Sequence, residues 1–220
     1  MSNILFDPVK TQAQISDSVL VAFSGGKDAI VALDLCVKFF KRVEAFFMYS
    51  VPNLEFQEKI LNRYEEIYGI KIHRLPHPDV SVLYHEGIYT VRDESVPKVT
   101  INDTFNYARH LSGIEWIASG ERTTDSIERN AKIKNSSSID YKTKKFYPVA
   151  YWRKSEIYAY IKAKKLYIPR VNKDFGYSID GLWGDALVWL KENYPQDYQK
   201  VERAFPLYGA QALRWEKYGK

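Results

Sequence analysis

Residues Ser18–Phe40 read SVLVAFSGGKDAIVALDLCVKFF, a nearly apolar run broken by two glycines, a lysine and an aspartate. SVLVAF is a short continuous apolar stretch of the kind that forms a strand buried on both faces. Apolar residues resume at Ala29 over a length that suits a helix. The segment SGGKD, Ser24–Asp28, therefore falls where a strand turns into a helix. Glycine lets the backbone turn sharply and approach a ligand closely. A helix N-terminus offers unpaired N–H groups and a partial positive charge, both suited to an anion. Lys27 adds a full positive charge. These features together read as a phosphate-binding loop.

Outward from this stretch, apolar runs predict strands at Val19–Phe23, Val43–Ser50, Ile70–Leu75 and Ile114–Ser119. Helical patterns fall between them at Ala29–Lys41, Leu54–Tyr68 and Thr100–Leu111. Alternating strands and helices predict an α/β fold, a doubly wound and mostly parallel sheet. Pro76–Val99 is longer than an ordinary connection and reads as a flap or insertion with a short helix at Val80–Glu86. After Trp152 the pattern turns helical. RKSEIYAYIKAKKL starts a helix at Lys154 or Ser155, and GLWGDALVWLKENY, QDYQKVERAF and LYGAQALRWEKY read as three more. The expected division is an α/β domain carrying the phosphate-binding loop over 1–152 and a C-terminal helical appendage over 153–220. The polar, basic and serine-rich stretch Lys132–Lys145 is expected to be a mobile loop.

Composition sets further bounds. With 220 residues and 45% apolar content the chain is long enough for one domain with a sizeable core. Cys36 is the single cysteine, so no disulfide forms within the chain and no multi-cysteine metal centre is expected; a reducing, cytoplasmic setting fits. MSNILFDPVK lacks the pattern of a signal peptide, and no apolar run is long enough to span a bilayer. The net charge of +5 is compatible with a nucleotide or a nucleic acid partner. The 17 tyrosines and five tryptophans concentrate in the second half. They read first as core and surface aromatics, with stacking platforms for bases as the sharper alternative.

The loop is not a Walker A motif, because the glycine required six residues before the lysine is Val21. Nor does it hold the three spaced glycines of a dinucleotide fingerprint. SGGKDA resembles the SGGxDS loop of the PP-loop ATP pyrophosphatase superfamily, also called adenine nucleotide alpha hydrolases. Ser24, Gly25, Gly26 and Asp28 match; Ala29 stands where a serine is usual. Beyond the fourth strand, SGERTTDSIERNAKI is similar to the G-x-R…S-x-x-R segment of the phosphoadenosine phosphosulfate reductase branch, at Gly120, Arg122, Ser126 and Arg129. FYPVAYWRKSEIYAYIKAKKLYIPRVNKDFGYSIDG resembles that branch's tail at Pro148, Trp152, Glu156, Tyr160, Ile161, Pro169 and Gly176–Ile179. The resemblance spans about residues 18 to 181 in the right order.

The resemblance implies an adenine nucleotide, either ATP or a phosphosulfate nucleotide, held by Ser24, Gly25, Gly26, Lys27, Asp28, Gly120, Arg122, Ser126 and Arg129. Catalytic roles fall to Lys27, Arg122 and Arg129. It also implies Mg2+, for which Asp28 is the candidate ligand, and adenine over the strand ends near MYSVPNLEF. One departure is plain: the chain ends RWEKYGK, without the C-terminal cysteine that a reductase of this family uses as its thiolate. The expectation is therefore a chain with no iron–sulfur cluster that does not reduce sulfate with its own thiol. What remains is nucleotide cleavage or transfer at the α-phosphate with release of pyrophosphate. A reductase-type subunit relying on an external thiol and a non-catalytic nucleotide-binding subunit stay open, as do a protein partner, a nucleic acid acceptor and oligomerisation; a membrane partner is not expected. His73 and His77 lack a third ligand in the sequence, and Glu55 and Glu58 read as a solvated face at a helix start, where negative charge is favoured.

Overall fold

The computed structural model describes residues 3–176, 178–179 and 184–218. Six strands form one sheet: β1 (Ser18–Ala22), β2 (Arg42–Tyr49), β3 (Ile72–Pro76), β4 (Ile117–Ser119), β5 (Ile139–Asp140) and β6 (Lys145–Phe146). Their order is β3-β2-β1-β4-β6-β5. β1 runs parallel to β2 and to β4, β4 runs parallel to β6, and β5 is antiparallel. The helices are α1 (Asp7–Ile15), α2 (Lys27–Phe39), α3 (Glu55–Tyr68), α4 (Pro78–Glu86), α5 (Ile101–Ser112), α6 (Ile127–Asn135), α7 (Lys154–Lys164), α8 (Arg170–Phe175), α9 (Gly184–Asn193), α10 (Pro195–Ala204) and α11 (Gly209–Tyr218). This is the doubly wound α/β fold that the alternating pattern predicts, with helices closing the chain.

Several elements differ from the sequence reading. α2 begins at Lys27 rather than Ala29, so Lys27 and Asp28 belong to its first turn. α1 was not foreseen; its Pro8 sits in the first turn, where a missing N–H is harmless. The stretch Lys132–Lys145, expected to be a mobile loop, instead carries the end of α6, β5 and the start of β6. Ile133 inside it is fully buried and Ile139 nearly so, which pins a segment that is otherwise polar. The helix after Trp152 is capped from Arg153, whose backbone N–H donates to Glu156 at 2.7 Å. Tyr177 and Gly181–Trp183, which belong to expected motifs, lie outside the described residues.

Contacts group the chain into two compact units. The first comprises Met1–Phe47, Tyr64–His73 and Ala108–Ser178; the second comprises Met48–Arg63, Arg74–Tyr107 and Ile179–Lys220. In the first, Val19, Leu20 and Val21 of β1 and Ile30–Leu33 of α2 are fully buried. Burial of such side chains is the main favourable term in folding. Asp34 interrupts the apolar surface of α2. Its two oxygens accept hydrogen bonds from Tyr68 and Tyr160 hydroxyls, each at 2.6 Å. Burial, and then this carboxylate, push both phenols above the ordinary tyrosine range. Trp152 is buried edge-on against Phe6 and Tyr160, and its ring N–H donates to the Leu5 carbonyl at 2.8 Å.

In the second unit, Asp197 of α10 is fully buried. Its carboxylate accepts from the Glu55 and Phe56 N–H groups at 2.8 and 3.0 Å, capping α3 from another helix. A carboxylate there meets both the unpaired amides and the positive end of the helix dipole. Phe56 packs edge-on against Trp189 nearby.

His73 is a satisfied histidine. Its Nε2–H donates to Glu44 Oε2 at 2.7 Å on the neighbouring strand. Burial pushes Glu44 up, but hydrogen bonds from His73 and Arg42 outweigh it and hold the carboxyl below its ordinary value. A depressed carboxylate adds stability above its unfolded pKa and loses it as pH falls through the folded one. The melting temperature is therefore expected to drop as pH falls below about 4.5. Glu44→Gln should flatten that acid limb in a thermal-melt series; an unchanged slope would show that the pair is not titrating with unfolding.

Candidate functional site

Strand order reverses at β1, which has β2 on one side and β4 on the other. In open α/β sheets ligands bind at such a switch point, beyond the carboxyl ends of the strands. Ala22 is paired with Ser119, so the loops leaving β1 and β4 start side by side. The first carries Ser24–Asp28 and the second Gly120–Asp125.

The first loop is shaped by its glycines. Gly25 has φ 70°, in the left-handed region that a side chain resists. Gly26 is the N-cap of α2 and supplies no side-chain cap, which leaves the first-turn amides open to an anion. The exposed Ser24 hydroxyl accepts the Gly26 N–H at 3.4 Å.

Charge gathers where the loops meet. Lys27 Nζ lies 2.9 Å from Asp28 Oδ2, and Arg122 Nε lies 3.1 Å from Asp28 Oδ1. The second contact is an ion pair by distance only, because neither atom completes a hydrogen bond. Arg122 is otherwise held by Asp125, whose carboxylate accepts from the guanidinium at 2.9 Å and from the Arg122 backbone N–H at 2.8 Å. The Arg122 side chain is 9% exposed, yet Nη1 is buried without a hydrogen-bond partner. An unfilled donor on a buried charge is costly unless a ligand fills it.

The remaining predicted residues occupy different positions. Arg129 is half-exposed and meets Asp125 at 3.6 Å, so it joins the cluster only through that carboxylate. Ser126 caps α6, accepting the Arg129 backbone N–H at 3.2 Å. Gly120 is where the two loops touch: a Cβ there would lie 2.9 Å from the Ala29 nitrogen and 3.0 Å from the Asp28 carbonyl carbon. Asp28, expected as a magnesium ligand, has a cation at each oxygen. His77 caps α4, while Glu55 pairs with Lys59 and Glu58 with Arg74, as solvated helix-face charges do.

Three residues were not foreseen, and a fourth, Ser178, was singled out only as part of the tail motif. Asp125 orients Arg122, a role hinted at only by its spacing three residues on. Asn172 of α8 donates to the Gly25 carbonyl at 3.4 Å, and its own Oδ1 is buried and unpartnered. The Ser178 hydroxyl lies 3.2 Å from where a Gly26 Cβ would sit. Lys145 on β6 is lowered to about 8, first by burial and then by the charge on Lys132. Lys132 itself sits over the Tyr147 ring and 3.6 Å from Glu121.

A model of the phosphoadenosine phosphosulfate reductase domain family matches residues 18–175. No curated protein matches the sequence. Among solved structures, the ammonia-dependent NAD synthetase of Campylobacter jejuni, in complex with nitrate, superposes with a TM-score of 0.52 at 17% identity, covering 98% of this chain and 92% of that one. Phosphoadenylyl-sulfate reductase of Candida auris, a phosphate complex, gives 0.51 at 16% identity, over 78% and 84%. The U34-tRNA thiolase NcsA of Methanococcus maripaludis, with its [4Fe-4S] cluster, gives 0.50 at 14% identity, over 93% and 79%. The last corrects the cofactor expectation of nucleotide and magnesium without an iron–sulfur cluster, since a chain of this fold carries one. Among the described residues no group of three or more His, Cys, Asp or Glu is placed to hold a metal, and no helix is long and apolar enough to cross a membrane.

The contact at Gly120 gives a direct test. Gly120→Ala forces a Cβ into backbone that cannot swing aside, an overpacking cost of about 1–3 kcal/mol. Denaturant melts should show that loss together with weaker anion binding; a variant as stable as wild type would mean that the loops do not meet as described.

Proposed function

The chain belongs to the phosphoadenosine phosphosulfate reductase domain family, and on that premise we propose that it binds ATP or a related adenine nucleotide and cleaves or transfers it at the α-phosphate, releasing pyrophosphate. One observation carries this reading: Lys27, Asp28 and the under-coordinated Arg122 converge beside the open first turn of α2. The β,γ-pyrophosphate would lie on the Gly26–Asp28 amides with Lys27 and Arg122 against its oxygens. An acceptor's nucleophile forms the new bond to the α-phosphorus as the bond to the pyrophosphate oxygen breaks. The two cations then stabilise the charge that builds on the leaving group, and the fixed loops supply the orientation. Asp125 holds the Arg122 fork in place, with Ser126 and Arg129 completing the wall on that side.

Removing the Lys27 charge tests the loop. Lys27→Ala should cost about 1.5–3 kcal/mol of nucleotide binding, roughly tenfold to more than a hundredfold in Kd by calorimetry. Pyrophosphate release should fall with it while the thermal melt stays put. Equal affinity in the variant would refute the assignment.

Family membership also favours a second reading, a sulfonucleotide reductase-type subunit supplied with a thiol by another protein. Cys36 cannot serve that role: it is fully buried in α2, and burial pushes its thiol far above the ordinary range. Cys36→Ala should leave nucleotide binding and any turnover unchanged. Calorimetry with ATP against phosphoadenosine phosphosulfate separates the two readings. Sulfite formation with thioredoxin alone, abolished by Cys36→Ala, would overturn both.

A further inference from the structure

Residues 153–174 hold seven basic and two acidic side chains, a formal charge of +5 that equals the net charge of the entire chain. The rest of the protein sums to zero, so α7, α8 and the turn between them form one of two basic clusters, the other being Lys132–Lys145. Both acids in this stretch are engaged: Glu156 caps α7, and Asp174 pairs with Arg170 at 3.4 Å. Among the described residues no ion pair engages Lys154, Lys162, Lys164, Lys165 or Lys173.

These charges are ordered. Lys154, Tyr158 and Lys162 follow one another at four-residue steps and line one face of α7 for about 12 Å, and Lys165 stands just beyond it as the left-handed C-cap. Tyrosines punctuate it: Tyr158 within the row is 37% exposed, and Tyr151 and Tyr167 at its ends are each 44% exposed. The adjoining face, with Ile157, Tyr160 and Ile161, is buried in the core. Asn172 contacts Gly25, so the basic segment ends against the phosphate loop.

We infer that this face of α7, with the turn into α8, docks a single-stranded nucleic acid. Unpaired lysines in a row suit successive backbone phosphates, and the exposed ring of Tyr158 among them suits an unstacked base. A duplex hides its bases and would use only the charges. An anionic membrane is disfavoured, because a surface-binding helix needs a free apolar face and that of α7 is already covered. The inference goes beyond the nucleotide reading and does not depend on it.

The test uses a labelled oligouridylate of about 20 nucleotides and the intact protein, with Kd measured by anisotropy across a salt series. Lys154→Gln/Lys162→Gln/Lys165→Gln should weaken binding at least tenfold and reduce the slope of log K against log salt by about 2, near 0.7 per lysine lost on a single strand. Tyr158→Ala should weaken binding by about tenfold at unchanged slope. A duplex of the same length should bind less tightly. ATP affinity should persist in the lysine variant, and oligonucleotide affinity should persist in Lys27→Ala, so failure of one reading is distinguishable from failure of the other. The inference is overturned if wild type does not bind the strand at low salt, or if the lysine variant binds it as well as wild type. It is likewise overturned if the lysine face binds phosphatidylserine vesicles in preference to the strand.

Discussion

The site depends on the parallel pairing of β1 with β4. Because Ala22 faces Ser119 across that pair, two segments almost a hundred residues apart leave the sheet at the same level and in the same direction. Nothing else in the chain needs to bring them together. The close approach at Gly120 then decides how near they come: with no side chain in the way, the second loop rests directly on the first turn of α2. The positive end of α2, Lys27 and Arg122 share one space for this reason.

That space is electrostatically prepared. Lys27, Asp28, Arg122 and Asp125 form a chain of alternating charge, with side chains between 9% and 20% exposed. Each cation is held by a carboxylate, so none sits bare in a partly buried place, where an unpaired charge is expensive. Yet the pairing is incomplete, since Arg122 keeps a buried N–H group without an acceptor. An arriving anion finds donors already in position and needs little reorganisation, the condition under which fixed charges stabilise a developing one most effectively.

Much of this was legible in the sequence because the decisive signals are local. SVLVAF and the helix after it announce themselves by unbroken apolar character, and SGGKD by the interruption. The helix start two residues early is a small error with a chemical consequence, since it puts Lys27 and Asp28 on a turn with open amides. What escaped was non-local or very short. Asn172 reaches Gly25 across 147 positions, and no neighbouring residue signals it. β5 and β6 have two residues each, too few for any periodicity, and the lysines and serines around them hid the buried Ile133 and Ile139. The lone cysteine misled in another way: it describes what this chain can ligate by itself, while chains of the same fold extend to a cluster-bearing thiolase.

The two outer strands of the sheet have a bearing on behaviour in concentrated solution. An outer strand exposes a row of backbone donors and acceptors that a second chain can extend. Here one outer strand, β5, is only two residues long, and the other, β3, ends at Pro76, which has no N–H to offer. Among the described residues neither end of the sheet presents a long template. A sheet with a strongly apolar centre therefore offers a second chain little to extend at β5, and at β3 a five-residue strand closed by a proline.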